Sequence, residues 1–331
     1  MRCWHGENRE ERPEGARRIS SPTSHSHGTS VRPLRSSPGG RSPLCLQCSM
    51  TIDYASPLAG DERMIPSHDG GTIATVSAGD GATVVLAHGF GVDRDEWNVV
   101  AAQLVDAGHR VVAFDQRGHG RTSAGREGIS SKSMALDYVT VLEAYDVRDG
   151  VLAMHSMGGF VGIRFLLDHA DVARERLCGA LLLATFAGDV NRNNPQNRLQ
   201  IPLIRSGVLP FLARTDLVGR PFARTIMGKK GNDEMGSAFL RMFRAQDFGP
   251  LLPILRAMVA ENRYPQLGAI DLPVAIMVGM DDRTTPAFHT DDLHAGIRGS
   301  TLQRIPDVGH MVVWEDPDAV AATIRRLASG T

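Results

Sequence analysis

Residues 150–160, GVLAMHSMGGF, decide how this chain is read. Small and apolar residues from Gly150 to Met154 give way to His155, Ser156 and Met157, then to Gly158 and Gly159. A short apolar run ended by glycines suits a buried strand that turns into a helix. The pattern approaches G-x-S-x-G, in which a serine sits on a sharp strand-to-helix turn with its hydroxyl exposed. Met154 stands where the first glycine belongs. Two readings of Ser156 are therefore open from this stretch alone: a nucleophile on a strained turn, or a serine that caps a helix.

Working outward, short apolar runs recur at TVVLAHG (83–89), RVVAFDQRG (110–118), GALLLATF (179–186) and PVAIMVGMDD (273–282). Runs this continuously apolar suit strands covered on both faces, as in a parallel sheet. Between them lie helical patterns such as DEWNVVAAQLVDAG, SKSMALDYVTVLEAY and GGFVGIRFLLDHA. The alternation predicts an α/β fold with a doubly wound, mostly parallel sheet. A weaker strand, STLQRIPDVG, precedes a last helix, DPDAVAATIRRLAS. Between 188 and 268 the alternation stops, and several helical patterns carrying Phe211, Phe222, Phe239, Phe243 and Phe248 follow one another. The core is expected over 61–187 and 269–331, with 188–268 as a helical insertion at the carboxyl edge of the sheet, where ligands bind in such folds.

Composition bounds the function. The chain has 331 residues, 42% of them hydrophobic, and a net charge of −1. That charge gives no case for nucleic acid or an anionic membrane as partner, and no apolar run reaches the ~18 residues of a membrane span. The first fifty residues hold eight arginines and four glutamates among Ser, Pro, Gly and His, so 1–60 reads as a disordered tail. A translation start at Met50 or Met64 is expected. Without a signal peptide pattern, and with three of the four cysteines in the tail, the protein reads as cytoplasmic and free of disulfides. CLQC (45–48) lacks a second pair, so no metal is expected.

Four segments could build an acyl-transfer site. HGFG (88–91) follows a strand, and its glycines let the Phe90 N–H turn toward an oxyanion, with the Met157 N–H as partner; a plain glycine turn is the alternative. It lacks the spacing of a phosphate loop. VGMDDRTTP (278–286) brings Asp281 and Asp282 to the end of a strand, and PDVGHMVVWEDP (306–317) brings His310 to the end of the next. A serine needs a base to take its proton, and the base needs a carboxylate to fix its tautomer. Asp189 is an alternative acid. His88, His119, Arg117 and Arg121 read as turn braces, and the His155 side chain should point away from Ser156.

HGFG, FDQRGHGRTS, HSMGG, GMDDRTTP and GHMVVWEDP occur in order, and through them residues 65–330 resemble the α/β-hydrolase superfamily. The resemblance implies Ser156 as nucleophile, Asp282 as acid, His310 as base, the Phe90 and Met157 amides as oxyanion donors, and the insertion as a cap. No cofactor is implied. The expected substrate is a small-molecule ester or lactone, sizeable and mostly apolar because the insertion is large and rich in Phe, Leu, Ile and Met, with a bulky macrolactone such as zearalenone among the readings and a homo-oligomer left open. Carbon–carbon bond hydrolysis, perhydrolysis and a non-catalytic binding module are the alternatives.

Overall fold

The computed structural model of the protein describes residues 52–330. Most of the expected tail, with CLQC, lies outside the described residues. Eight strands form one sheet: β1 Asp61–Pro66, β2 Thr72–Ala78, β3 Thr83–Ala87, β4 Arg110–Phe114, β5 Gly150–His155, β6 Leu177–Leu183, β7 Val274–Gly279 and β8 Thr301–Ile305. Their order is β1-β2-β4-β3-β5-β6-β7-β8. Pairings from β4 through β3 to β8 are parallel, and β2 pairs antiparallel with both β1 and β4, so β2 alone runs against the other seven strands. The sheet is thus doubly wound and mostly parallel.

Helices α1 Asn98–Asp106, α2 Ser131–Ala144, α3 Met157–Asp168 and α4 Ala170–Arg176 follow the first strands. The insertion holds α5 Pro195–Arg205, α6 Val208–Leu212, α7 Asp216–Thr225, α8 Asp233–Ala245 and α9 Phe248–Ala260. After β7 come α10 Phe288–Gly296, α11 Val312–Glu315 and α12 Pro317–Ser329. All residues of β3 and β5 are buried, which explains their unbroken apolar sequence. A buried Val or Leu contributes about 1.5–3 kcal/mol, so these two strands anchor the core.

Chain direction places the site. From β3 the chain crosses to β4 on one side, and β5 then joins β3 on the other. The carboxyl ends of β3 and β5 therefore flank a crevice at the point where the winding reverses, where such folds take ligands. HGFG leaves β3 and Ser156 leaves β5 into this crevice. The insertion leaves and returns through a narrow stem, where Gly188 bridges Asn262 and the Arg263 N–H donates to the Ala187 carbonyl at 2.8 Å. Closing its ends together lets a long insertion hang from the sheet without splaying β6 and β7 apart.

Two local features differ from what composition suggests. Residues 52–60 group with the tail by composition, yet Tyr54 and Leu58 are buried. The Asn98 side-chain amide donates to the carbonyls of Asp53 and Ser56 at 3.0 and 2.9 Å, tying this segment to the start of α1. The ordered body therefore begins before residue 60. Met154, the residue that breaks G-x-S-x-G, is fully buried, and its sulfur fills the space that a Cβ on Gly162 of α3 would need. The glycine missing from the turn is in effect supplied one helical turn further on.

A protein starting at Gly60 should melt below one starting at Met50, because it loses two buried side chains worth about 1.5–3 kcal/mol each; calorimetry on the two forms tests this. Gly162→Ala alone should cost about 1–3 kcal/mol by overpacking against Met154. Combined with Met154→Ala it should cost less than the sum of the single changes, by at least about 0.5 kcal/mol. Urea denaturation of the four proteins measures that coupling, and simple additivity would contradict the packing described.

Candidate active site

Ser156 follows β5 at φ 52° and ψ −115°, a positive-φ backbone that an L-residue holds only under strain. Its surroundings enforce the turn. A Cβ on Gly158 would meet the carbonyl oxygens of Ala87 and His88 at 2.7 and 2.8 Å, so α3 starts hard against the end of β3. The Thr185 hydroxyl donates to the Ser156 carbonyl at 2.6 Å, and the Tyr138 hydroxyl donates to that of Gly158 at 2.8 Å. Gly89 lies directly opposite, since a Cβ there would sit 3.4 Å from Ser156 Cβ.

The structure brings Ser156, His310 and Asp282 into one hydrogen-bonded chain. His310 Nε2 lies 2.9 Å from Ser156 Oγ, and Nδ1 lies 2.9 Å from Asp282 Oδ2. The other Asp282 oxygen accepts the Thr284 and Thr285 amides at 2.8 and 2.9 Å. The Thr285 hydroxyl stands 2.8 Å from both Asp282 Oδ2 and the Ala184 carbonyl, and its single proton serves one at a time. All three members of the chain are buried. Asp281 turns the other way, toward the Lys229 amide at 3.3 Å. Asp189 is exposed and is not brought to His310.

The loop after β3 is fixed by neutral histidines. Burial pushes the His88 pKa down to about 3, so Nδ1–H donates to the Gly89 carbonyl while Nε2 accepts the Gln116 amide at 2.8 Å. His119, also held well below its usual pKa by burial, accepts the Gly91 N–H at 3.2 Å. Both act as turn braces. Between these anchored glycines the Phe90 N–H has no partner among the described residues, and the Met157 N–H at the first turn of α3 has none either. Arg117 is buried between Asp69 and Asp137, at 2.7 and 2.6 Å, and faces away from the site.

Sequence patterns do not reveal Glu96. It is fully buried, accepts the Gly89 N–H at 3.0 Å, and pairs with His155 Nδ1 at 3.1 Å. The opposite nitrogen, His155 Nε2, donates to the carbonyl of His310 at 2.9 Å. Burial acts to lower the His155 pKa, but the charge and hydrogen bond of Glu96 outweigh it and leave the pKa raised. Both ring nitrogens face acceptors, as a protonated imidazole requires. One buried ion pair thus ties the loop after β3, the Ser156 turn and the His310 backbone together.

The insertion closes the site from above. Ile201 and Ile204 of α5, Phe222 of α7 and Phe239 and Phe243 of α8 line a cavity of about 100 Å³ that reaches Ser156 and His310. Residues 226–230 are fastened to the histidine loop. The His310 N–H donates to the Ile226 carbonyl at 2.8 Å, and the Lys230 N–H to that of Asp307 at 3.0 Å. Glu315 Oε2 accepts the amides of Gly228 and Gly309 together, at 2.8 and 2.9 Å. Among the described residues no group of three or more His, Cys, Asp or Glu side chains converges as metal ligands.

Glu96→Gln should cost about 3 kcal/mol, because it leaves the buried His155 without its counter-charge. The sign of the pH effect follows from the raised pKa of His155. The pair stabilises fully below the unfolded histidine value and loses that contribution as pH rises through the higher folded value. Denaturation of wild type and variant across neutral to alkaline pH should show this decline in wild type and a weaker one in Glu96→Gln.

Comparison with known proteins bears on the family and the fold. The model of the "Alpha/beta hydrolase family" matches residues 84–323. The non-heme chloroperoxidase CPO-A1 of Kitasatospora aureofaciens is 29% identical over 227 residues, 66% of this chain and 81% of that protein. An esterase from Exiguobacterium antarcticum superposes with a TM-score of 0.70 at 20% identity, covering 82% of this chain and all of the esterase. The enol-lactonase from Burkholderia xenovorans gives 0.65 at 19% identity, covering 81% and 100%. The structural likenesses speak for the fold, and the sequence model, matching well over half of the chain, shows that it belongs to the α/β-hydrolase family.

Proposed function

We propose that the protein is a serine hydrolase that cleaves a compact, largely apolar carboxylic ester or lactone through an acyl-enzyme on Ser156. The single observation that carries this reading is the Ser156–His310–Asp282 chain, with 2.9 Å at both links. His310 Nε2 takes the Ser156 proton as Oγ attacks the carbonyl carbon, and returns it to the departing alkoxide as the acyl–oxygen bond breaks. Water then gives a proton to Nε2 and attacks the acyl group, which leaves as the acid while Ser156 regains its proton. The Phe90 and Met157 amides stabilise the oxyanion of each tetrahedral intermediate. Asp282 fixes the histidine tautomer, and its two amide partners hold it in place. In this role the insertion is a cap.

The cavity supports a narrower substrate than sequence alone. Sites that bury a drug-sized ligand span roughly 300–1,000 Å³, and this one offers about 100 Å³. A short acyl group fits this space better than a macrolactone. The chloroperoxidase relative supports a second reading, perhydrolysis, in which hydrogen peroxide replaces water and the acyl group leaves as a peracid. Peracid formation with peroxide and a short-chain ester, measured beside plain hydrolysis, separates the two.

Ser156→Ala should lower kcat by several orders of magnitude without disturbing the fold. Turnover that survives in the pure variant would end the proposal. Asp282→Asn should lower kcat by about 10⁴, as in a related triad where the histidine is left in the wrong tautomer. Asp281→Asn should cost less than about tenfold. Steady-state kinetics on a short-chain activated ester, with circular dichroism as a folding check, decides between the two aspartates.

A further inference from the structure

The outer surface of the insertion is unlike the rest of the described surface. Leu199 and Leu203 on α5, Val208, Phe211 and Leu212 on α6, and Leu217 on α7 are all exposed. Leu217 is 85% exposed, and Leu199 and Phe211 are each 67% exposed. These six make up most of the exposed large apolar side chains among the described residues. Their spacing sets them in stripes: 199 and 203 are four apart on α5, and 208, 211 and 212 lie three and four apart on α6. Helix α6 follows α5 after a two-residue turn and packs against it, so the stripes adjoin.

Charge follows the same segment. From 195 to 225 there are five arginines, Arg198, Arg205, Arg214, Arg220 and Arg224, against one acid, Asp216, in a chain whose net charge is −1. All five are exposed. Arg220 pairs with Asp216, but Arg205 and Arg214 have no acidic partner among the described residues. On α5, Arg198 and Arg205 lie together on one side, about 100° or more around the helix from the apolar stripe, while Ile201 and Ile204 on the side opposite the stripe line the cavity. Net charge hides this because acids elsewhere balance it.

Exposed leucine and phenylalanine accompanied by arginine match an interfacial surface, with apolar groups entering the acyl boundary and cations meeting the headgroups. We propose that the outer face of α5–α7 docks the protein on an anionic lipid surface. No helix among the described residues is long and apolar enough to cross a membrane, so the contact is peripheral. Like charge argues against two other occupants. A second copy would set this arginine-rich face against itself, and residues 1–50 carry their own excess of eight arginines over four glutamates. The proposal does not depend on the hydrolytic reading, since binding is measured without turnover.

The test is flotation of the full chain with vesicles of phosphatidylcholine, alone or with roughly one third phosphatidylglycerol. Binding to the anionic vesicles should be at least about tenfold tighter and should weaken in high salt. Arg205→Glu with Arg214→Glu should reduce it more than tenfold, as each arginine near such a surface is worth roughly fivefold. Phe211→Glu with Leu217→Glu should reduce it by at least about tenfold. Both variants should keep the melting temperature and the hydrolysis of a water-soluble ester, because none of these side chains reaches the cavity. Absence of binding to anionic vesicles, or binding that both variants leave intact, overturns the proposal. So would a concentration-dependent dimer that either variant dissolves, or retention on polyglutamate in a protein that ignores vesicles.

Discussion

The approach of α3 to the end of β3 is the constraint on which the site depends. Gly158 rests against the carbonyls of Ala87 and His88 with no room for a side chain. That contact lets the chain reverse at Ser156 and holds its backbone in a region costing about 1–3 kcal/mol. It also brings the Phe90 loop and the first turn of α3 to the same place. Strain at one residue is thus offset by packing along two strands whose residues are all buried.

Around this contact the polar groups divide into two kinds. His88 and His119 are neutral and fix backbone turns, whereas the His155 pKa is raised by the charge and hydrogen bond of Glu96. The ion pair is not in the proposed reaction path, yet it links the three loops that meet there. The pair also holds a third group, the His310 carbonyl, through the second ring nitrogen.

Much of this was legible in the sequence because the relevant signals are local. Ser156 and Asp282 lie just past apolar runs and His310 just past the weaker strand β8, in short motifs whose order carries information. Strands β3 to β7 were legible for the same reason, since strands buried on both faces write unbroken apolar runs, whereas β1 and β2 at the edge, largely exposed or of mixed polarity, wrote none. Glu96 was not legible: it is fifty-nine residues from His155, in a helical pattern where an acid normally faces water. Residues 52–60 were missed because two buried side chains and two backbone carbonyls hold them, too few to imprint a pattern. Met154 looked like a defect because its compensation, Gly162, sits on the next element.

The fastening of residues 226–230 to the histidine loop bears on how the protein could change its substrate. Glu315 grips an amide from each side, so that stretch and His310 move as one body. A substitution there that reshaped the pocket would also displace the proposed base, and selection would meet both effects at once. Helix α5 is pinned at its first turn, where Asn194 and Asn197 donate to the Arg283 and Thr284 carbonyls beside Asp282, but its later turns lend Ile201 and Ile204 to the same pocket with no such tie to His310. Divergence in specificity has its open route along α5, while 226–230 should drift slowly.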